Sequence, residues 1–320
     1  MFAISTFQFY CSSDVICQGR GLHAIIFFMV NQQSEVATSN YIGIDIGGTN
    51  TRLSLCQSLD AADFTTLAKF PTYLDYNQQL QSIIKAIQSC NLANFAGIGV
   101  SIAGRIARDG RSVIVAPNLP GYIAKPFAQD LSERFSCPVR LAHDAVCGLL
   151  AEKKFGFIQR NDRCAFLTVS TGTGAAIQLS KAACTLTSSI EIGHQILDGN
   201  QRVCLCGQVG CLETYTGGKQ IALRYGRSSA EITDASFWQS LCAKLALGLV
   251  NLAMLTRVDA VAVSGAIVLN NPALLTLLQQ QVNAIIVGST LEIGLAVSGE
   301  NAPLIGAALL LEVPESMILH

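Results

Sequence analysis

Residues 41–56 read YIGIDIGGTNTRLSLC: an apolar run, a Gly-Gly-Thr-Asn break, then TRLSLC, a second strand-like run. The pattern predicts a β-hairpin whose turn needs the positive φ that glycine reaches at little steric cost. Residues 165–180, AFLTVSTGTGAAIQLS, repeat the plan with a Thr-Gly-Thr-Gly turn at 171–174. Either unit alone is simply a hairpin, but two read as matching halves of a duplicated fold. Backbone N–H groups in such turns can approach phosphate oxygens closely because no Cβ intervenes. Thr49, Thr171 and Thr173 add candidate hydroxyl donors. Asp45, at the end of the first strand, is a hard oxygen ligand suited to Mg2+ through water.

Other phosphate-binding motifs fit poorly. A P-loop needs Gly-Lys-Ser/Thr opening a helix, which is lacking here. A dinucleotide fingerprint precedes a helix, whereas both of these turns lead into strands. Paired hairpins clasping a nucleotide explain the pattern better.

The surrounding composition suits an enzyme-sized globular chain. Of 320 residues, 50% are hydrophobic and 13% charged, and the net charge is −1. That charge, with no Lys/Arg run, argues against a nucleic-acid partner. No uninterrupted apolar run reaches the ~20 residues of a membrane helix. The segment Ala24–Val30 has the length of a signal-peptide core, but no basic residue precedes it until Arg20 and no small-residue cleavage site follows. Residues 1–40 are therefore expected to be a poorly ordered extension, with Met29 as an alternative start. Twelve cysteines, mostly scattered, read as reduced buried thiols in a cytoplasmic protein.

One cysteine group is not scattered. His194, Cys204, Cys206 and Cys211 follow the spacing His-x9-Cys-x-Cys-x4-Cys between Glu191 and Glu213. Three thiolates and an imidazole complete a tetrahedral shell for Zn2+, leaving no position for water, so a structural site is expected. A nucleic-acid zinc knuckle lacks basic-aromatic neighbours, and redox chemistry lacks a Cys-x-x-Cys. In VRLAHDAVCGLLAE, residues 139–152, Asp144 sits where a strand meets a helix. Alone it reads as a helix N-cap; in a phosphotransferase it is a candidate base. The His143-Asp144 pair also occurs in metal phosphohydrolases, but further spaced partners are missing.

Taken together, these segments resemble the ASKHA superfamily and, within it, the ROK family of sugar kinases. DIGGTNTR and STGTG are similar to its two phosphate motifs, SGAIVLNNP (264–272) to its adenosine segment, and APLIGAALLL (302–311) to its closing helix. EIGH followed by CLCGQVGCLE matches the ROK zinc signature. The resemblance runs from about Tyr41 to Leu311. It implies an α/β fold of two domains with an actin-like, ribonuclease H-like core, mixed sheets flanked by helices and an interdomain cleft. The smaller domain would take residues 41–143 plus about 302–320, and the larger one 144–301 with a zinc loop at 194–211.

The same resemblance implies site roles. ATP and Mg2+ would lie near Asp45, Gly47, Gly48, Thr49, Asn50, Thr51, Thr171, Gly172, Thr173, Gly174 and Gly265. Asp144 would be the base for a hexose hydroxyl. Gly104, Arg105, Asn118, His143, Glu191, His194 and Glu213 would line the sugar site. Three positions depart from the family pattern: Ser264 stands where a glycine is more usual, Ala103-Gly104 replaces Pro-Gly, and His143 replaces the asparagine that binds a sugar hydroxyl. The imidazole is bulkier and titratable, which puts sugar preference in question. The implied activity is ATP-dependent hexose phosphorylation, on glucose or an N-acetylhexosamine, by a homodimer. Two other readings are a sugar-responsive repressor, which needs a helix-turn-helix ahead of Tyr41, and a sugar-binding pseudokinase.

Overall fold

The computed structural model describes residues 40–320 except 62, 93 and 183. The expectations about the N-terminal extension, Ala24–Val30 and Met29 fall outside the described residues. The first hairpin forms from β1 (Tyr41–Ile46) and β2 (Asn50–Cys56), with Asp45 opposite Arg52. β3 (Phe64–Pro71) adds an antiparallel edge, and α1 (Tyr76–Gln88), N-capped by Asp75, leads to β4 (Gly97–Ile102), parallel to β1. A ribbon of β5 (Arg105–Ile106) and β6 (Val113–Val115), then α2 (Phe127–Phe135), precede β7 (Val139–His143). The sheet order is β3-β2-β1-β4-β7.

Helix α3 (Asp144–Phe155) carries the chain to a second sheet. β8 (Arg163–Val169) and β9 (Thr173–Lys181) form the second hairpin, and β10 (Cys184–Ile190) is its antiparallel neighbour. After the short helices α4 (Glu213–Thr216) and α5 (Gly218–Tyr225), the long α6 (Ala235–Thr256) precedes β11 (Ala260–Ser264), parallel to β8. The chain continues through α7 (Ala266–Leu269), α8 (Ala273–Ile285), β12 (Glu292–Leu295), α9 (Ala302–Leu309) and β13 (Ile318–Leu319). Within the second sheet, β10-β9-β8-β11-β12 repeats the order and directions of β3-β2-β1-β4-β7. The duplication suggested by the two glycine turns is thus a duplication of whole sheets.

Among the described residues, α6 alone is long and apolar enough to cross a membrane, and half of that window is buried within the fold. It is interrupted by Gln239, Ser240, Lys244 and Asn251, which is why no continuous apolar run is seen in the sequence.

The two sheets meet through an alanine-rich core that includes Ala142, Ala145, Ala151, Ala176, Ala262, Ala307 and Ala308. Small side chains permit close backbone approach. A Cβ on Gly99 of β4 would lie 1.7 Å from the Ala307 carbonyl oxygen, and one on Gly43 of β1 would lie 2.6 Å from that of Leu304. On the other face of α9, a Cβ on Gly306 would lie 1.6 Å from the Cys147 carbonyl oxygen in α3. β13 then pairs with β10, so residues 302–320 do not belong to the first half alone, as a division at 302 expects.

Glu152 is fully buried near the end of α3. Its carboxylate accepts from the backbone N–H groups of Phe157 (3.0 Å), Val297 (3.0 Å) and Ser298 (2.7 Å). Three donors replace the lost water, which is what a buried carboxylate requires.

Gly306→Ala tests the helix contact because its two effects have opposite signs. Alanine in a helix interior gains about 1 kcal/mol over glycine, whereas overpacking a rigid backbone contact costs about 1–3 kcal/mol or more. The expected outcome in thermal denaturation is a Tm several degrees below wild type. A Tm at or above wild type would remove the close contact as a constraint.

Candidate active site

β1, β4 and β7 are parallel and bring their C-terminal ends together, the edge where α/β sheets hold ligands. The register places Asp45 beside Ser101, and Ser101 beside Ala142, after which come His143 and Asp144. Asp45 is almost fully buried. Its Oδ1 accepts from the Ser101 hydroxyl at 2.8 Å, and its Oδ2 from Arg52 Nη2 at 2.7 Å and Nε at 3.2 Å. Arg52 also donates to Asn301 Oδ1 (3.1 Å) and to the Glu300 carbonyl (2.7 Å). Burial raises the Asp45 pKa, and the Arg52 charge and hydrogen bonds only partly oppose it. Arg52 and Ser101 were not singled out from sequence; the hairpin register, which sets Arg52 across from Asp45, was the available signal for the first.

Asp144 opens α3, and the N-cap position is His143, one residue earlier than an N-cap at Asp144 would have it. Asp144 Oδ1 accepts from the Ala145 N–H at 2.7 Å and lies 2.9 Å from His143 Nδ1. Nδ1 also lies 3.2 Å from the Ala145 nitrogen, but a protonated Nδ1 donates and cannot accept. We assign that proton to Nδ1, facing Asp144. Burial pulls the His143 pKa down, but the charge and hydrogen bond of Asp144, with Glu191 beyond, outweigh it and leave the pKa raised. Burial likewise raises that of Asp144, and the His143 charge, its hydrogen bond and the Ala145 N–H together leave it lowered. The pair therefore holds an ionised carboxylate. One turn along α3, burial pushes the Cys147 thiol well up, and the charges of Asp45 and Asp144 push it further.

The glycine turns flank these acids. The first closes through the Gly47 N–H donating to the Asn50 carbonyl at 3.0 Å, leaving Gly48, Thr49 and Asn50 exposed; contrary to expectation, none of Gly47, Gly48, Gly172 and Gly174 has a positive φ. Asn118 packs onto this turn, since a Cβ on Gly48 would lie 3.2 Å from the Asn118 Cβ. Thr51 departs from expectation: it is fully buried, with its hydroxyl bonded to Thr72 (2.9 Å) and Gln79 (2.7 Å), so it braces the turn from behind. Alternation along β2 explains this, because one residue past the turn the side chain points inward.

In the second turn Thr171 is exposed, but Thr173 faces inward, its hydroxyl on Thr216 at 2.7 Å and its N–H on Glu213 Oε2 at 2.7 Å. Neither Thr51 nor Thr173 presents a hydroxyl to a ligand. Gly174 stands opposite His143: a Cβ there would lie 3.8 Å from the imidazole Cε1. Gly265 has φ +95°, and a Cβ would meet the Val169 backbone at 2.4 Å, so the adenosine-like segment abuts the base of the second turn.

The residues expected at a sugar site meet in part. Gly104 backs onto the Val115 carbonyl, where a Cβ would approach to 2.7 Å. Arg105 Nη2 reaches Glu191 Oε1 at 3.4 Å, both side chains being more than half exposed. Glu191 Oε2 lies 4.0 Å from His194 Nε2. Glu213 is turned toward the second glycine turn, where one oxygen holds the Thr173 N–H.

His194, Cys204, Cys206 and Cys211 converge, with all four ligand atoms within 4.8 Å of one another. His194 Nδ1 lies 3.9 Å from Cys204 Sγ, and the sulfurs of Cys206 and Cys211 are 3.7 Å apart. Tetrahedral zinc with ~2.3 Å bonds to sulfur requires sulfur–sulfur edges of about 3.8 Å, so the donor set fits. Gln208 and Gln220 donate to the sulfurs of Cys211 (3.2 Å) and Cys204 (3.3 Å), the support that thiolate ligands attract. Without a cation, burial and neighbouring thiols push Cys211 up to about 12.

The ROK family profile matches residues 41–313. This chain belongs to the ROK family. Glucokinase of Thermotoga maritima is 29% identical over 187 residues, 56% of this chain and 58% of that one. A xylose repressor of Caldicellulosiruptor bescii is 27% identical over 190 residues, 56% of this chain and 47% of that one. The ROK chain thus spans about half the length of such curated relatives. Its fold is that of a ROK glucokinase from Streptomyces griseus, solved with glucose and AMPPNP: TM-score 0.70, 22% identity, 85% of this chain and 99% of that one. The architecture is therefore the actin-like one, with mixed sheets flanked by helices.

The ligand cluster yields a direct test. Reduced protein should take up one zinc per chain, and because thiols lose protons on coordination, uptake should release protons and weaken as pH falls. Elemental analysis with proton-release titration measures both. Cys204→Ser with Cys211→Ser should abolish uptake; uptake that survives the double substitution would place the metal elsewhere.

Proposed function

We propose that this chain is an ATP-dependent sugar kinase that transfers the γ-phosphoryl group to a hexose hydroxyl, the 6-hydroxyl of glucose in the first instance. The observation that carries the reading is Asp144: an ionised carboxylate at the C-terminal edge of the first sheet, held by His143, whose ring faces the second glycine turn. N-acetylglucosamine and N-acetylmannosamine are the alternative acceptors; an N-acetyl-D-glucosamine kinase of Salmonella gallinarum is 30% identical over 200 residues.

The two halves, residues 41–143 and 144–301, act as lobes joined by α9, with sugar and nucleotide between them. Asp144 accepts the hydroxyl proton and aligns the oxygen for in-line attack on the γ-phosphorus. Exposed N–H groups of Gly48, Thr49 and Asn50, with those of the Thr171–Gly172 turn, hold the phosphates. Asp45 has Ser101 on one oxygen and Arg52 on the other, so it suits holding Mg2+ through water; the ion, when bound, neutralises phosphate charge. Arg105, Asn118, Glu191 and His194 hold sugar hydroxyls, and the zinc cluster limits the freedom those groups lose on binding. Closure of the lobes keeps water from competing as acceptor.

A regulator reading is the second one, favoured by the xylose repressors among the relatives. A coupled assay with ATP–Mg2+ and a hexose panel separates the two. The kinase reading expects sugar-dependent ADP release, and folded, zinc-loaded protein that binds sugar yet releases no ADP would favour the regulator. Asp144→Asn should lower kcat by about 10²–10⁴-fold, the usual contribution of general acid–base catalysis, with sugar affinity largely kept.

His143 gives a pH test. Its positive charge depresses the Asp144 pKa, so His143→Asn, which keeps a polar group and removes the charge, lets that pKa climb. The acid limb of kcat/KM should therefore move to higher pH. An unmoved limb would show that the imidazole does not set the ionisation of the base.

A further inference from the structure

Apart from the acids and the zinc ligands, the molecule gathers three cations around one aromatic ring. Tyr215, on α4, has Arg202 Cζ at 3.8 Å from its centroid, Lys244 Nζ at 5.4 Å and Arg224 Cζ at 5.7 Å. The cations arrive from three elements: Arg202 from the zinc loop, Arg224 from α5 and Lys244 from α6. Among the described residues, none of the three has a carboxylate within 4.0 Å. Arg202 Nη1 is buried with no hydrogen-bond partner among those residues. Arg202 is fixed at both backbone groups, its N–H on Asn200 Oδ1 (3.2 Å) and its carbonyl accepting from the Gly210 N–H (2.9 Å). Arg224 is fixed by donating to the Thr214 carbonyl. Arg202, Tyr215, Arg224 and Lys244 are all partly exposed, so the cluster is reachable from solvent.

We infer that Arg202, Arg224 and Lys244 form a binding site for a phosphate group, with Tyr215 as its floor. Like charges held together repel, and a ring face offsets only part of that repulsion. A buried guanidinium N–H without an acceptor is costly in the same way. A tetrahedral dianion supplies several acceptors at once, matching two forked guanidinium groups and one ammonium, whereas a carboxylate is satisfied by a single arginine. The phosphate can come from inorganic phosphate or from a phosphate ester such as a hexose 6-phosphate. Tyr215 follows Glu213 by two residues, and Glu213 holds the second glycine turn, so an occupied site would stiffen the segment joining zinc loop and turn. That coupling to turnover rests on the kinase reading; binding itself does not.

The test uses zinc-loaded full-length chain without ATP or free sugar. Tm is followed against inorganic phosphate and, separately, hexose 6-phosphate, at ionic strength held constant with chloride. The expected result is a saturable rise in Tm with one or both. Lys244→Met and Arg202→Met should each weaken that response by about tenfold or more, the usual effect of losing a charged hydrogen-bond partner. A response to the ester alone assigns the site to phosphate esters, and a response to both shows that the phosphate group suffices. Lys244→Met leaves zinc content and any turnover at low phosphate unchanged, so it remains informative if Arg202→Met fails to fold. No saturable response to either compound overturns the proposal. A response that survives Lys244→Met undiminished also does so, because it then belongs to the glycine turns or the sugar pocket.

Discussion

The backbone of α9 lies against two partners with nothing between. On one side the carbonyls of Leu304 and Ala307 meet Gly43 and Gly99 in β1 and β4; on the other, Gly306 meets the Cys147 carbonyl in α3. No side chain larger than hydrogen fits at these three points without moving backbone. Asp45 is the penultimate residue of β1 and Asp144 is the first of α3, so one helix fixes the distance between the two acids. Burial could tolerate many apolar residues here, but such approach tolerates only glycine.

A second tie runs in parallel. Arg52 holds Asp45 and reaches Glu300 and Asn301, just before α9. Glu152, at the far end of α3, holds Val297 and Ser298 in the same loop. From Asp45 through Arg52, the loop 297–301 and Glu152 to α3, every link is a charged group bonded to backbone or to an opposite charge. Such bonds are stronger than neutral ones and directional. The glycine contacts set a spacing, and the polar chain sets an orientation. Asp45 accepts one hydrogen bond on Oδ1 from Ser101 and two on Oδ2 from Arg52, which fixes the carboxylate and leaves acceptor capacity on Oδ1.

Much of this was legible in the sequence wherever the signal is local. Hairpin turns announce themselves through glycine and alternation, the strand-to-helix junction at Asp144 through patterning, and the metal cluster through spacing. What escaped notice depends on tertiary contact. Thr51 and Thr173 belong to phosphate-like motifs, yet both point inward, because a motif does not say which face of the strand is buried. Glu152 reads as an ordinary helix residue among lysines until the loop 297–298 is brought over it. Arg202, Arg224 and Lys244 are far apart in the chain and carry no pattern at all. Glycines 43, 99 and 306 are unremarkable in sequence, since close approach is a property of two segments.

Glu213 shows how site and scaffold share one residue. From spacing it is a fence post of the metal cluster, and the ROK resemblance implies a contact with sugar hydroxyls; in the fold one of its oxygens holds the Thr173 N–H in the second glycine turn. It follows Cys211 by two residues, so the position of that turn is tied to the geometry of the cysteines. The Cys/His cluster is therefore tied to more than the loop beside Glu191 and His194. Through Glu213 it also reaches the second glycine turn.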